Sequence, residues 1–261
     1  MQIEFVANAG FLMHAENYAV GVDVFSSDEN GIYQDTSQEW KEKLWEMVAC
    51  GKLRLLIVTH EHADHYCRRD VMEALDTAAA HHTALRVLTT QAVALDLLKA
   101  GADRERLLVV PSEPHPGEVP LCRELENVYC VGKEVCIRAR NVPHEGEQYQ
   151  GVWNIVLLIE AEGKKIVSVA DACPEERLFL MIAEWSKQID WLLVPFPYMG
   201  RNRVRKSMNR VLDIQKIAVF HFPEPDRDVK DWYRQTVKVC QRAEDSLPVP
   251  LFLRTSGMIF T

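Results

Sequence analysis

The sequence predicts an α/β protein in which two mixed β-sheets pack face to face and helices cover their outer faces. Three observations favour this arrangement. Short apolar runs typical of strands come first, amphipathic stretches typical of helices follow, and the same order is then repeated. No internal repeat, low-complexity stretch or linker separates the two halves, which would meet at about residues 130–150. We therefore expect a single domain spanning residues 1–261.

The first half of the chain begins with strand-like runs at residues 2–6, 11–14 and 18–24. A helix is expected from Ser37 to about Ala49, because Thr36 and Glu39 form a capping box. The remaining elements of this half follow from apolar spacing and from glycine stop signals: a strand at 54–58, a helix near 69–80, a strand at 86–88 and a helix at 91–100.

The middle of the chain, about residues 107–170, is predicted to be mostly strands. Ala161-Glu162-Gly163 is predicted to form the turn of a hairpin. Pro174-Glu175-Glu176 places a proline and acids where a helix begins. An alternating pattern then completes the chain: a strand at 191–194, a helix over 203–213, a strand at 217–220 and a helix over 227–240.

Composition excludes several classes of protein. A hydrophobic content of 48% with 26% charged residues is ordinary for a globular enzyme, and a net charge of −8 disfavours a general nucleic-acid binder. Residues 1–6 indicate a strand rather than a secretory signal, and no apolar run approaches the ~18 residues of a membrane span. Seven cysteines without regular spacing predict reduced thiols in a cytoplasmic protein, with Cys122, Cys130 and Cys136 as small buried residues.

The densest chemical signal is a run of imidazoles and carboxylates. The apolar segment 55–58 is followed directly by Thr59-His60-Glu61-His62-Ala63-Asp64-His65. If the segment is a buried strand, this loop lies at the carboxyl edge of a sheet, where open α/β sheets bind ligands. Imidazole and carboxylate suit zinc, iron or manganese. Alternate side chains of an extended segment share a face, so His60 and His62 can bind one ion, while Asp64 and His65 can turn towards a second.

Further ligands are needed, and the same pattern of a polar residue closing an apolar run suggests them. Three residues meet it: His144, Asp171 and His221. Cys67 and Cys173 each lie two residues from a proposed ligand. They can line the pocket, but a zinc thiolate would displace a ligand already counted.

These residues, in this order, resemble the metallo-β-lactamase-fold hydrolase superfamily over nearly the whole chain. The resemblance implies a four-layer αββα sandwich that holds two divalent ions. It also implies a role for each ligand: a first ion bound by His60, His62 and His144, a second bound by Asp64, His65 and His221, and Asp171 as the bridge. Asp23 resembles the early aspartate that supports the metal loop from behind the ligands. Ala170 is a departure, since the family often has glycine before its bridging aspartate.

The expected activity is that of a dinuclear metal-dependent hydrolase. The expected cofactors are two divalent ions, with zinc favoured and manganese or iron as alternatives. Such a pair lowers the pKa of a shared water towards ~7, and the metal-bound hydroxide attacks carbon or phosphorus. Asp64 and Asp171 are the expected catalytic residues, Asp64 because it can orient the nucleophile or carry its proton. No Gly-x-Ser-x-Gly motif, Walker loop or dinucleotide fingerprint competes with this interpretation.

The substrate is suggested only by a basic run that contains Arg201, Arg203 and Arg205. The run is either a solvated helical face or a site for an anion, so the preferred substrate is a small anionic phosphoester or lactone. Two alternatives stay open: a nuclease acting on RNA or DNA, and a non-catalytic protein that keeps the metals for structure or sensing. A diiron redox protein is disfavoured, because family resemblance would place a carboxylate where His62 stands.

Overall fold

The computed structural model describes residues 1–28, 30–111, 123–124, 128–243 and 245–261. The strands are β1 (Gln2–Ala7), β2 (Gly10–His14), β3 (Ala19–Val22), β4 (Leu53–Val58), β5 (Arg86–Thr89), β6 (Leu107–Val109), β7 (Arg123–Glu124), β8 (Tyr129–Val131), β9 (Val135–Pro143), β10 (Trp153–Ala161), β11 (Lys164–Ser168), β12 (Gln188–Pro195), β13 (Asp213–Phe220), β14 (Leu251–Phe252) and β15 (Ile259–Phe260). The α-helices are α1 (Gln38–Ala49), α2 (Arg68–Ala80), α3 (Gln91–Lys99), α4 (Glu176–Trp185), α5 (Phe196–Gly200), α6 (Asn202–Val211) and α7 (Trp232–Arg242).

The strands form two mixed sheets. The first sheet has the order β15-β1-β2-β3-β4-β5-β6-β7, and the second has the order β14-β13-β12-β11-β10-β9-β8. In the first sheet β3, β4, β5, β6 and β7 run parallel, and in the second β11, β12, β13 and β14 do. Because parallel neighbours end at the same edge, loops that follow them along the chain are brought together in space.

Three apolar clusters show how the layers stack. Side chains from both sheets meet in one cluster, in which Ile57 of β4 and Leu157 of β10 are buried. A second cluster joins the other face of the first sheet to α1, α2 and α3, and a third joins the other face of the second sheet to α4, α5 and α6. Since β4 alternates between two clusters, with Ile57 in one and Leu56 in the other, both of its faces are covered. The predicted αββα sandwich is confirmed.

Most element predictions hold to within a few residues, and the exceptions have local causes. Ser37, rather than Thr36, caps α1 by accepting a hydrogen bond from the Trp40 amide, while the Thr36 hydroxyl donates to the Val24 carbonyl. The last helix begins at Trp232 instead of residue 227, because the Asp228 carboxylate accepts hydrogen bonds from the amides of Trp232 and Tyr233.

A tight hairpin joins β10 to β11. Glu162 and Gly163 form the two-residue connection from β10 to β11, and both have positive φ, as a type I′ turn requires. This turn confirms the predicted hairpin. Helix α5 and the short strands β14 and β15 had no sequence signal that predicted them.

The cysteine prediction was wrong for one pair. Cys130 and Cys136 face each other across the β8–β9 hairpin and form a disulfide. A spacing of six residues suggests nothing by itself, but a hairpin turn between the two cysteines places them directly opposite each other. Cys50, Cys67, Cys173 and Cys240 are free, and Cys122 lies outside the described residues. Within the described ranges, no helix combines the length and the apolar character that crossing a membrane demands.

Candidate metal centre

The loop after β4 folds back on itself and so gathers four of the predicted ligands. The amides of His65 and Tyr66 both donate to the His62 carbonyl at 2.9 Å, which returns the chain towards the strand. His60 and His65 are completely buried as a result. Short-range turn geometry, rather than distant packing, therefore sets the positions of these side chains relative to one another.

Asp23 lies at the end of β3, next to the end of β4, and holds this loop. Its carboxylate accepts hydrogen bonds from the Thr59 amide at 2.8 Å, the Thr59 hydroxyl at 2.6 Å and His65 Nδ1 at 2.9 Å. Since His65 Nδ1 carries the donated proton, its Nε2 is free to bind a cation. Asp23 leaves the strand with a φ of 47°, which ends β3 earlier than predicted.

The second sheet supplies one residue at each of three strand ends. His144 follows β9, Asp171 lies three residues beyond β11, and His221 follows β13. The Asp171 amide donates to Asn154 Oδ1 on β10 at 3.0 Å. Ala170 and His221 have positive φ values of 42° and 65°. Alanine at position 170 thus adopts the left-handed conformation that explains why glycine is common there, at a cost of about 1–2 kcal/mol.

All seven predicted ligands converge, and they form three overlapping groups whose ligand atoms lie within 4.8 Å of one another: His60, His62 and His144; His60, His65 and Asp171; Asp64, His65 and His221. Asp171 is central, because its Oδ2 lies 3.5 Å from His144 Nε2, 3.4 Å from His65 Nε2 and 3.3 Å from His221 Nε2. We call His60, His62 and His144 the first group, and Asp64, His65 and His221 the second group.

The first group has the donor chemistry of a metal site. His144 Nδ1 donates to the Glu145 carbonyl at 2.6 Å, and His144 Nε2 is buried without a hydrogen-bond partner. His60 Nδ1 donates to the Thr59 hydroxyl at 3.1 Å, because that hydroxyl already donates to Asp23. His60 Nε2 then lies 3.1 Å from His62 Nδ1. Imidazole nitrogens with lone pairs turned towards one point fit a divalent cation, which pairs with all of them at once.

The two groups differ in their electrostatics. Burial lowers the pKa of His60 and of His62, and the neighbouring imidazoles lower both further, which favours the neutral form that binds metal. Burial also opposes the charged form of His65, but the carboxylates of Asp171 and Asp64 outweigh it and raise the pKa of His65 to about 10. The pKa of His221 is raised in the same way. The carboxylates of Asp171 and Asp64 therefore favour positive charge around His65 and His221.

Side chains that the sequence did not suggest complete the surroundings. Tyr149 packs against His62 and His144, and Tyr33 packs edge-on against His221 with ring centroids 4.3 Å apart. Asn8 Nδ2 donates to the Asp64 carbonyl at 2.8 Å, and the Asn8 carbonyl accepts from the His221 amide at 3.1 Å. No periodicity or spacing marks these residues in the sequence, since each reaches the site only through the fold.

A cavity of about 350 Å³ lies beside the second group. Asn8 and Phe222 line it next to the ligands, and Gln34, Arg254 and Ser256 line it further out. Asn8 Oδ1 is buried and has no hydrogen-bond partner among the described residues. The cavity therefore offers polar contacts to a small molecule close to Asp64 and His221.

The basic run divides into three environments. Arg201 forms an ion pair with Glu145, the residue after His144, and so lies close to the first group. Arg203 is exposed on α6. Arg205 is buried, and its guanidinium donates to Asp245 and to the Met199 carbonyl. These bonds occupy the guanidinium of the buried Arg205, so it is less available to a substrate than Arg201 or Arg203, and substrate binding by these residues stays a prediction. Cys67 and Cys173 belong to none of the three ligand groups in the described part of the chain.

Neither a sequence-family model nor a curated protein sequence matches the chain. Solved structures do. The metallo-β-lactamase fold protein YhfI from Bacillus subtilis matches with a TM-score of 0.62 and 14% identity, over 100% of this chain and 99% of that one. The chain has the metallo-β-lactamase fold. This agrees with the resemblance in the metal-loop sequence, and it explains why ligands from two sheets meet at one edge of the sandwich.

Two other proteins of known structure share the fold. The short form of human tRNase Z matches with a TM-score of 0.61 and 11% identity, over 100% of this chain and 99% of that one. Zn²⁺-bound PqqB from Methylobacterium extorquens matches with a TM-score of 0.60 and 10% identity, over the whole of both chains. At these identities the likeness shows the metallo-β-lactamase fold alone.

Proposed function

We propose that the protein is a dinuclear metal-dependent hydrolase. The central position of Asp171 carries the proposal, because one carboxylate oxygen lies within 3.5 Å of imidazole nitrogens from both the first and the second group. When bound, two divalent ions supply a water that loses a proton near neutral pH and positive charge that stabilises oxyanions. The seven side chains, five imidazoles and two carboxylates, suit zinc best, with manganese or iron as alternatives.

Asp64 and Asp171 are the proposed catalytic residues. Their side chains are 15% and 16% exposed, whereas His65 is fully buried, so the carboxylates face the open side of the centre. A carboxylate at the opening can accept a proton from an attacking water, and Asn8 orients Asp64 by donating a hydrogen bond to its carbonyl. Asp23 would position His65 without touching the substrate.

The proposed substrate is a small anionic phosphoester or lactone. The cavity beside the second group has room for a small molecule, Arg201 pairs with Glu145 next to His144, and Arg203 is an exposed cation on the following helix α6. A cytoplasmic location remains a proposal: four free cysteines support it, and the Cys130–Cys136 disulfide argues against it. Cell fractionation would decide whether the protein is cytoplasmic.

A nuclease is the second candidate. The fold is shared with human tRNase Z, and α6 carries exposed basic residues. The net charge of −8 opposes it, because nucleic-acid binding relies on neutralising phosphates. Cleavage of an unstructured RNA by the metal-loaded protein, lost at high salt, would favour this candidate over a small-molecule hydrolase.

The decisive experiment combines elemental analysis and activity on one preparation. Protein purified without chelator, and protein stripped and reloaded with zinc, should each contain close to two ions per chain. The same samples would be assayed on phosphomonoesters, phosphodiesters, lactones, thioesters and RNA. Metal content near zero after reloading would refute the dinuclear centre. Two ions without turnover on any substrate would favour the metal-binding or sensing alternative.

A further inference from the structure

A second cavity, of about 410 Å³, lies between α4 and α6 and is lined mainly by basic and polar residues. Arg203, Lys206 and Arg210 contribute its cations, at successive turns of α6. Arg210 forms an ion pair with Glu176 at the start of α4. Arg203 and Lys206 form no ion pair with any residue that the structure describes, so no carboxylate in that part of the chain neutralises these two charges.

Two helix N-termini border the same cavity. Glu176 and Asn202, the first residues of the ten-residue helices α4 and α6, both line it. Neither helix has a side-chain cap at its N-terminus. Uncapped amides and the positive ends of two helix dipoles add to the cationic side chains, and this combination attracts anions with several oxygens.

A buried hydroxyl provides independent support for a ligand-binding site in this cavity. Ser207 lines the cavity between Lys206 and Arg210 along the chain, and it is only 8% exposed. Its Oγ has no hydrogen-bond partner among the residues that the structure describes. A helical serine normally satisfies its hydroxyl through water or the preceding turn, so an unpartnered one beside two unpaired cations is a donor available to a ligand.

We propose that this cavity binds the phosphate group of a small molecule, or free phosphate, through Arg203, Lys206 and Ser207. A phosphate offers the oxygens to accept from a guanidinium, an ammonium and a hydroxyl together. The limited volume of the cavity and the overall negative charge of the chain favour a small ligand over a polyanion. None of the seven candidate metal ligands lines the cavity, although Pro174 is three residues from Asp171 along the chain, so phosphate binding here does not require the metals.

The test is isothermal titration of the metal-loaded full chain with inorganic phosphate. Arg203→Ala with Lys206→Ala should weaken phosphate binding by about 100-fold, since two charge-assisted contacts are lost. Ser207→Ala should weaken it by about tenfold without lowering Tm, because the hydroxyl makes no hydrogen bond within the protein. Arg234→Ala with Lys238→Ala on the exposed face of α7 is the matched control and should leave binding unchanged.

Asp171→Ala identifies the alternative location. Phosphate binding that survives this change and disappears in the Arg203 and Lys206 variant supports the cavity. Binding that disappears with Asp171→Ala and survives in the α6 variant would place phosphate on the metals and overturn the proposal. Absence of saturable binding, or binding of a short RNA without terminal phosphates in place of inorganic phosphate, would overturn it as well.

Discussion

The two sheets contribute to the candidate metal centre in different ways. The first sheet supplies His60, His62, Asp64 and His65 from one loop, whose internal hydrogen bonds and contact with Asp23 hold it together. The second sheet supplies its three residues from three separate strand ends. The positions of the four loop residues are therefore set locally. The positions of the other three depend on the correct assembly of strands β9, β10, β11, β12 and β13 into one sheet. This difference predicts which substitutions act on several ligands and which act on one.

The largest effect is expected from Asp171→Ala. Asp171 is one of the three residues that the second sheet supplies, and it contacts both the first and the second group. Its loss should therefore reduce the metal content from two ions to one or none. Activity should fall at least about 10³-fold, the scale on which removal of a charge-stabilising group acts. Elemental analysis and kcat/KM measure the two effects. Asp190→Ala, which removes a partly exposed carboxylate paired with Lys164 on the same sheet, is the control and should retain both ions and activity.

A second comparison concerns one buried ion pair in each half of the chain. Lys41 pairs with Asp70 between α1 and α2, and Arg205 pairs with Asp245 beside α6. Lys41→Met and Arg205→Met should each reduce the free energy of unfolding by about 3 kcal/mol, because each leaves a carboxylate with less compensation. Denaturation followed by two probes measures this. If the chain is one domain, both changes shift a single transition; two separate transitions would mean that the halves unfold independently.

A smaller effect is expected at the residues that support the ligands. Asp23→Asn keeps a side chain that tolerates positive φ but removes the charge facing His65, so affinity for the second ion should fall about 10- to 100-fold. Asn154→Ser removes the acceptor of the Asp171 amide and the donor to the Val169 carbonyl, but it leaves the Asp171 carboxylate and the charge facing His65 in place, so it should cost less. Metal titration with a competing chelator compares the two. An equal loss of metal affinity in both variants would contradict the expectation that Asp23, which supports the metal loop, matters more than Asn154, which supports Asp171.

The smallest expected effect is a pH dependence of the Lys41–Asp70 pair. Burial raises the pKa of Asp70, but hydrogen bonds from Lys41, Cys67 and Arg69 outweigh it and leave the pKa below the usual value. A lowered pKa in the folded state stabilises the protein above the unfolded pKa of about 4, and the contribution disappears as pH falls further. The stability difference between wild type and Lys41→Met should be constant from pH 7 to 5 and narrow below pH 4. Stability curves that stay parallel down to pH 3 would show that this pair does not titrate.

The local contribution could be predicted from the sequence, and much of the distant contribution could as well. The loop from Thr59 to His65 contains its own spacing signal, and His144, Asp171 and His221 each close an apolar run. Asp23 was suggested by family resemblance. The structure brings all of these residues together, and whether they bind metal stays a prediction.

What escaped prediction depends on long-range packing or on backbone geometry. Tyr33, Tyr149 and Asn8 reach the centre from loops whose paths no periodicity describes. Arg205 belongs to a basic run in the sequence, but helical periodicity turns it inwards while Arg203 faces outwards. The partner of Cys130 follows from hairpin register, which the turn at Gly132 sets and cysteine counting does not reveal.

The approach of His65 and His221 has a consequence for the unfolded chain. Their Nε2 atoms are 3.0 Å apart, although 156 residues separate them in sequence. An ion held by both would act as a removable cross-link that closes a very long loop. For a loop of this length, chain-entropy reasoning developed for disulfides gives a stabilisation of about 5 kcal/mol. The same side chains proposed for chemistry would thereby tie the two sheets to each other, so the protein's lifetime in the cell would depend on metal supply.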